Sequence, residues 1–263
     1  MSIINQQLFT VSQDPNLTDS ERSQHIETYV QTFKDLTQAV IDGAMHLVLM
    51  GDAGQGKTQT VTDLLEASGK SFDDIKGSAS AIGLYRMLHD NQHLDVLVID
   101  DCDTMFENPE CANILKAAMD SKAERKISWE KQGNNLAALG LPNSFTSTVQ
   151  IILITNHDLV HTAGRLRKKQ ELMKPVIDRS IPFKTGMPNR QWEADYFRMM
   201  HENDLLLAFK EEGLTTEQQD EIMQFVLDNA QSWKAMTFRM LGHIARFYKS
   251  NKTTWQSMSL MTL

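Results

Sequence analysis

The chain has 263 residues, 41% of them hydrophobic and 23% charged, which is enough to bury a substantial core in one large domain or in one domain plus a small one. Its net charge of −8 offers no general attraction for nucleic acid, and its two cysteines lack the paired spacing of a zinc site or of a secreted disulfide framework. No apolar run could span a bilayer and the first ten residues do not form a signal-peptide pattern, so we expect a soluble, cytoplasmic protein without a membrane partner.

A long helix is the first element that the sequence predicts. The first residues look loosely structured until Thr18-Asp-Ser-Glu21, which is a capping-box pattern. Apolar residues then recur at helical spacing to about Asp42, and Gly43 ends the helix. The helix therefore has an apolar face with which to pack.

A phosphate-binding loop follows the first predicted strand, Ala44–Met50. Residues 51–58 read Gly-Asp-Ala-Gly-Gln-Gly-Lys-Thr and fit G-x-x-x-x-G-K-[ST] in full, ahead of a predicted helix over Gln59–Glu66. In such a loop the backbone N–H groups point inward, the lysine reaches the phosphates of ATP and the threonine hydroxyl binds Mg²⁺. A chance glycine-rich turn is the alternative, and both flanking elements argue against it. The predicted nucleotide-binding residues are Gly51, Asp52, Ala53, Gly54, Gln55, Gly56, Lys57, Thr58 and Gln59.

Two adjacent carboxylates end the next strong strand. After a weak strand at Phe72–Lys76 and a helix at Ser80–His89, the run from Leu94 to Ile99 is mostly apolar and is followed by Asp100 and Asp101. In a parallel sheet, ligands gather beyond the carboxyl ends of the strands. We therefore expect Asp100 to meet Thr58 at one Mg²⁺, the alternative being that the two carboxylates only cap a loop.

The remaining segments predict a change of architecture near residue 187. A helix starts at Asn108 and runs to about Ser121, a strand at Val149–Thr155 ends beside Asn156, and a helix over Lys168–Ser180 leads into a last short strand. Only helical patterns follow, with helices predicted over Arg190–Leu206, Thr215–Asn229, Thr237–Tyr248 and Thr254–Met261. We predict an α/β nucleotide-binding domain over residues 1–187 and a small helical domain over 188–263.

These motifs, in this order, resemble the AAA+ ATPases over about residues 20–250. The resemblance implies a five-stranded parallel sheet flanked by helices, then a helical lid, in chains that assemble into hexameric or similar rings. It makes Gly51–Thr58 the Walker A loop and Val96–Asp101 the Walker B strand, with Asp100 on Mg²⁺. It further implies that Asn156 is the sensor-1 residue, Arg179 the arginine finger and Arg239 the sensor-2 arginine. A strand-end cap at Asn156 and ordinary surface arginines are the alternatives, and Arg190 and Arg246 are competing candidates.

The chain departs from the family pattern at Asp101, where the residue that orients the attacking water is normally glutamate. Aspartate carries the same carboxylate on a side chain one methylene shorter. The resemblance therefore implies ATP hydrolysis, at a rate that depends on how well this shorter side chain orients the water. Residues 126–150 exceed a simple crossover, and Lys126–Lys131 and Phe145–Val149 are candidates for the arms of a β-hairpin of the kind that some family members project toward the ring pore. An irregular surface loop is the alternative. The residue sequence around Lys76–Arg86 and at Asp100–Asp103 also resembles small bacteriophage-type AAA+ proteins, which implies action in a host cytoplasm.

The charges are unevenly distributed. Residues 161–190 hold eight basic and two acidic residues, a net of +6, whereas residues 191–230 hold ten acidic and two basic residues, a net of −8. This change of charge from +6 to −8 along the chain suits head-to-tail contact between copies as well as polyanion binding. We expect a ring-forming ATPase that remodels nucleic acid or nucleoprotein. A protein-remodelling ATPase and an ATP-regulated scaffold with slow turnover are the alternatives.

Overall fold

The computed structural model describes residues 17–130, 136–160 and 167–263. Contacts divide the described chain into an α/β unit, made of Thr32–Gly51 and Lys57–Thr185, and a helical unit, made of 17–31, Asp52–Gly56 and Gly186–Leu263. The predicted division at residue 187 differs from these units in two segments, 17–31 and 52–56. Both segments contact helices that come late in the chain, which a reading of consecutive sequence does not register.

The α/β unit is built on a parallel sheet of five strands in the order β2-β3-β6-β1-β7, which confirms the predicted fold class. The strands β1 and β3 are buried at every position, as expected for near-continuous apolar runs covered on both faces. The strands of this sheet are β1 (Leu47–Met50), β2 (Phe72–Lys76), β3 (Val96–Asp100), β6 (Gln150–Thr155) and β7 (Ile181–Lys184).

Helices connect these strands, and their starts follow local capping signals. The Ser80 hydroxyl accepts a hydrogen bond from Gly83 N, and the Asn108 side chain accepts one from Glu110 N ahead of a first-turn proline. The last helix of the unit ends at Ile177, three residues before the predicted end at Ser180. The helices are α1 (Asp19–Ile41), α2 (Lys57–Ser68), α3 (Ala81–Asp90), α4 (Pro109–Ala118) and α5 (Arg167–Ile177).

A two-stranded antiparallel hairpin precedes β6, which confirms that two arms pair in this region. Its strands are β4 (Arg125–Ser128) and β5 (Ser144–Ser147), shorter than the predicted arms. The Phe145 ring lies 5.1 Å from that of Tyr85, whose hydroxyl donates to Pro142 O. One face of the hairpin therefore packs on the core. Lys131, the end of one predicted arm, lies outside the described residues.

The helical unit packs a core rich in aromatic side chains. The Phe225 and Trp255 rings meet edge to face at 4.7 Å, and Phe197 meets Phe238 at 5.0 Å. The first predicted helix of this region, Arg190–Leu206, ends early at Glu202, and Asp204 adopts a φ of +54° before the next helix begins. The helices are α6 (Arg190–Glu202), α7 (Leu207–Glu211), α8 (Thr216–Asp228), α9 (Phe238–Ser250) and α10 (Trp255–Thr262).

The first half of α1 belongs to the helical unit through specific polar contacts. Arg22 Nε donates to Asp195 Oδ2 over 2.8 Å, and the Asp195 side chain is only 5% exposed. The Tyr29 hydroxyl accepts a hydrogen bond from Gly186 N at 3.1 Å. Within the described ranges, no helix is both long enough and apolar enough to cross a membrane.

Candidate functional site

Three neighbouring strands of the sheet carry the polar residues of the candidate site at their carboxyl ends. In the order β3-β6-β1, these ends lead to Asp100 and Asp101, to Asn156, and to Gly51. Parallel strands end at the same edge of a sheet, so residues that are far apart in sequence meet there. The α/β unit thus brings Lys57, Thr58, Asp100, Asp101 and Asn156 together.

Lys57 is the first residue of α2 and is only 5% exposed. Its ammonium group donates to Gly51 O at 2.6 Å and to Asn156 Oδ1 at 3.2 Å. A buried lysine is costly unless it is hydrogen-bonded, and both of these partners are neutral. The arrangement presents a cation at the helix N-terminus, where the backbone also attracts anions.

Thr58 and Asp100 form a pair of oxygen ligands. The Thr58 hydroxyl donates to Asp100 Oδ2 at 2.7 Å, and Asp100 is 4% exposed. Burial raises the pKa of Asp100, and the charges of Asp101 and Asp74 raise it further. A cation at this point would relieve that penalty, and hydroxyl and carboxylate oxygens are the ligands that Mg²⁺ prefers.

A magnesium ion at Thr58 and Asp100 would need oxygen ligands beyond these two side chains. Within the described residues, no group of three or more histidine, cysteine, aspartate or glutamate side chains is arranged to hold a metal ion. Mg²⁺ usually keeps several waters and binds one or two carboxylates together with phosphate oxygens. The Thr58 and Asp100 pair therefore supplies the kind of oxygen ligands that a nucleotide-bound Mg²⁺ would use.

Asp101 and Asn156 extend the site toward solvent. Asn156 Nδ2 donates to Asp101 Oδ1 at 2.8 Å, while its carbonyl oxygen faces Lys57. Asp101 is exposed and has a φ of +52°, in the left-handed region that aspartate tolerates better than most residues. One amide thus links the buried cation to an exposed carboxylate.

Sequence reasoning did not identify Lys76 as a site residue. The pairing of β2 with β3 places it directly opposite Asp100. Its ammonium group lies 2.8 Å from Asp74 Oδ2 and 4.0 Å from Asp100 Oδ2. Thr155 and His157, on either side of Asn156, were missed as well, and both contact Asp103. The sequence offers only the polar character of these positions, because the contacts depend on strand register.

Two glycines of the loop show why a side chain would not fit. Gly51 has a φ of +146°, and an added Cβ would lie 2.3 Å from Thr185 Oγ1 and 2.6 Å from Thr185 O. Within the helical unit, Gly54 has a φ of +80°, accepts a hydrogen bond from Phe238 N, and would place a Cβ 2.9 Å from Thr237 Cβ. Both positions require glycine for conformation and for space.

The other predicted nucleotide-binding residues are placed less distinctively. Gly56 also has a positive φ, of +75°, and Gln55 is half-buried. Asp52 and Ala53 are exposed. Gln59 is exposed and donates to Asp63 along its own helix.

The predicted arginines are each described within their own unit. Arg179 is half-buried and donates to Pro175 O at 2.7 Å, and within the described residues it makes no hydrogen bond or ion pair with Lys57 or Asp101. Arg239 is exposed at the second position of α9. Of the competitors, Arg190 pairs with Glu193 and donates to two backbone carbonyls, and Arg246 pairs with Glu212. Among these four arginines, Arg239 is the one without a side-chain hydrogen bond or ion pair in the described part of the chain.

No protein-family model matches the chain. An uncharacterized 36.7 kDa protein in the nrdC-mobD intergenic region of Enterobacteria phage T4 is 26% identical over 233 residues, which cover 85% of this chain and 70% of that protein. A closed-state cryoEM reconstruction of Hsp104 with ATPγS and FITC casein aligns with a TM-score of 0.46 at 13% identity over 98% of this chain. This chain spans 43% of the Hsp104 chain.

Proposed function

We propose that this chain is an AAA+ ATPase that binds Mg·ATP at Gly51–Thr58 and hydrolyses it. The observation that carries the proposal is the cluster at the carboxyl ends of β1, β6 and β3. There Lys57 and Thr58, the last two residues of a full phosphate-loop motif, lie beside polar strand ends, with Thr58 2.7 Å from Asp100 and Asn156 2.8 Å from Asp101. Motif and geometry agree, although the motif residues and the carboxylates lie more than forty positions apart in the chain.

The residues that bind the nucleotide act through charge and backbone donors. Lys57 would exchange its neutral partner, Gly51 O, for a phosphate oxygen, which is a stronger, charge-assisted acceptor. The loop amides and the N-terminus of α2 favour the same anion. Thr58 and Asp100 would hold Mg²⁺, which neutralises developing charge on the phosphates.

The residues assigned to hydrolysis are Asp101, Asn156, Arg179 and Arg239. Asp101 would orient the attacking water and accept its proton, because it is an exposed carboxylate beside the buried Lys57 cluster. Asn156 would hold the Asp101 carboxylate and the Lys57 ammonium group at fixed positions relative to each other. Arg179 of a neighbouring copy and Arg239 would stabilise transition-state charge, a role worth about 10³–10⁵-fold in rate for an arginine finger.

We further propose that copies assemble head to tail, in a hexameric or similar ring, to remodel nucleic acid or nucleoprotein in a host cytoplasm. The +6 block supports a polyanionic substrate, and the similarity to a phage T4 protein supports the location. Part of the block is neutralised, since Lys169 pairs with Glu107 and Lys184 with Asp158 at 2.7 Å each. Lys168 and Lys174 are exposed, and residues 161–166 lie outside the described part of the chain.

A protein-remodelling ATPase is the second candidate, favoured by the net charge of −8. An ATP-regulated scaffold with slow turnover is the third, favoured by Asp101 in place of glutamate. Direct DNA binding that weakens with salt would favour the first candidate over the second, because contacts to DNA phosphates lose affinity steeply as salt rises. Steady-state ATP hydrolysis with and without single-stranded DNA separates the third from both.

The central test is Lys57→Ala. We expect hydrolysis to fall on the order of 100-fold or more, because the substitution removes the phosphate cation and leaves the strands untouched. Lys122→Ala, in an exposed loop of the same unit, is the matched control and should retain full activity. Circular dichroism melting should give the same midpoint for both variants within a few degrees. Full ATPase activity in Lys57→Ala would refute the proposal.

A further inference from the structure

The two residues that flank Asn156 both contact a single carboxylate, that of Asp103. The Thr155 hydroxyl donates to Asp103 Oδ1 at 2.7 Å, and His157 Nε2 lies 3.3 Å from Asp103 Oδ2. The backbone N–H of His157 donates in turn to Thr155 Oγ1 at 3.0 Å. We call Asp103, Thr155 and His157 the Asp103 cluster.

The directions of these hydrogen bonds follow from chemistry. An ionised carboxylate only accepts, so the Thr155 hydroxyl must donate to Asp103 and use a lone pair for the His157 N–H. Thr155 is fully buried, which makes its bond to the charged oxygen strong and costly to lose. Both oxygens of Asp103 are engaged by residues at the end of β6, and neither caps the short 3₁₀ helix Asp103–Glu107 in which this aspartate lies.

The cluster ties together the two segments that carry Asp101 and Asn156. Asp103 lies two residues after Asp101, and Thr155 and His157 lie one residue before and after Asn156. Between the tied points, the Asn156 amide presents its oxygen to Lys57 and its nitrogen to Asp101. A rotation of that amide would turn both contacts from attractive to repulsive.

We infer that Asp103 is a positioning residue of this site. Through Thr155 and His157 it holds Asn156 in the one orientation that bridges Lys57 and Asp101. The inference rests on the proposed function for its catalytic consequence, and on the contacts alone for its structural one. It also assigns Asp103 a role other than general base, because one of its oxygens accepts from the Thr155 hydroxyl and the other lies 3.3 Å from His157 Nε2.

The first test needs no nucleotide. In ¹⁵N-labelled protein, the side-chain NH₂ signal of Asn156 is assigned by its absence from Asn156→Ala. Thr155→Val removes the hydroxyl at nearly constant volume, and Thr155→Ser keeps it. We expect Thr155→Val and Asp103→Asn to shift the signal and speed its exchange with water, and Thr155→Ser to leave both unchanged. Unchanged signals in Thr155→Val and Asp103→Asn would overturn the inference.

The second test uses single-turnover ATP hydrolysis. We expect Thr155→Val to lower the rate about 10- to 100-fold, the scale of a misplaced catalytic group, with Mg·ATP affinity within about twofold of wild type. In an Asn156→Ala background the same substitution should add no further loss, because Asp103 acts through Asn156. A full additional loss would show a merely structural role and overturn the inference.

The tests separate failure of the inference from failure of the proposed function. If the wild-type protein does not hydrolyse ATP, the proposed function fails and the amide signal still decides the positioning role. If Thr155→Val does not fold, Asp103→Asn carries both tests, because its side chain is 26% exposed.

Discussion

Asp101 combines an exposed carboxylate with a left-handed backbone, at φ +52°. Short polar side chains bond locally and tolerate this region, whereas longer side chains do so less readily. This gives a physical reason for aspartate at a position where the AAA+ resemblance implies glutamate. The turn also brings the carboxylate within 2.8 Å of Asn156 Nδ2.

Asp101→Asn should therefore separate binding from turnover. Asparagine tolerates the same backbone, so the melting midpoint should not change, and Asp100 still serves the metal. We expect Mg·ATP affinity within about threefold of wild type and turnover reduced by about 10²–10⁴-fold, the usual contribution of a general base. Asp73→Asn, at an exposed position of β2, is the control. Equal turnover in the two variants would place the base elsewhere.

His46 provides a prediction on acid stability. It is 3% exposed, its Nδ1 accepts a hydrogen bond from Ile151 N at 3.0 Å, and burial together with the nearby Arg125 charge lowers its pKa from 6.5 to about 4. The unfolded chain binds a proton below about pH 6.5 while the folded chain does not, so stability is complete above that pH and is lost as the pH falls toward 4.

The difference between the two pKa values corresponds to about 3 kcal/mol. Urea unfolding at pH 7.5 and at pH 4.5 should show His46→Gln losing less stability than wild type, because glutamine can accept the Ile151 N–H without titrating. His93→Gln, at an exposed position, should lose as much as wild type. Equal losses in all three proteins would contradict the assigned pKa.

At the scale of single residues, the sequence predicts what a contiguous motif fixes. Lys57 and Thr58 follow from the loop, and Asp100 follows because a buried strand ends there. Contacts that depend on register and rotamers were beyond the sequence. The bonds of Asp103 to Thr155 and His157 join positions more than fifty residues apart, and no spacing rule indicates them.

Between β1 and α2, the chain passes so close to Thr185 that the junction depends on one glycine. Gly51→Ala would add a Cβ 2.6 Å from the Thr185 backbone oxygen, which cannot rotate away, at a φ of +146°. We expect a loss of about 3 kcal/mol or more in the free energy of unfolding. Gly69→Ala, at φ +67° in open space, should cost about 1 kcal/mol. Similar losses measured by urea titration would contradict the steric argument.

At the scale of elements, apolar runs were the reliable signal. They located β1, β3 and β6 clearly, whereas β2, with Asp73, Asp74 and Lys76, gave only a weak signal, and capping residues located the starts of several helices. Helix ends were less predictable. The predicted helix over Arg190–Leu206 stops at Glu202, because Asp204 takes up a positive φ that helical periodicity does not reveal.

At the scale of the whole molecule, the proposed ring depends on an arginine that serves a neighbour. Arg179 lies against the carbonyl of Pro175 in the single chain and makes no contact with Lys57 or Asp101 among the described residues. The proposed role therefore requires Arg179 to act in trans. The blocks of +6 and −8 supply opposite charges for a head-to-tail contact, which high salt should weaken.

A mixing experiment tests this assembly. Arg179→Ala lacks the finger and keeps its own pocket, whereas Lys57→Ala lacks a working pocket and keeps its finger. In mixed assemblies some interfaces pair an intact pocket with an intact finger, so two inactive proteins should recover partial ATPase activity together. Arg167→Ala, at an exposed position of α5, is the control and should be active alone. Monomers that persist with ATP, or no recovery despite co-assembly, would exclude this role for Arg179.

The two edges of the parallel sheet restrict how copies can meet. At one edge, β7 carries Pro182, which has no N–H to offer a further strand, and at the other, β2 carries Asp73, Asp74 and Lys76. Extension of the sheet from chain to chain is therefore disfavoured at both edges, and so is edge-to-edge aggregation. In the proposed assembly, contacts between copies would then be made by side chains, whose interactions a single substitution or a change of salt can reverse.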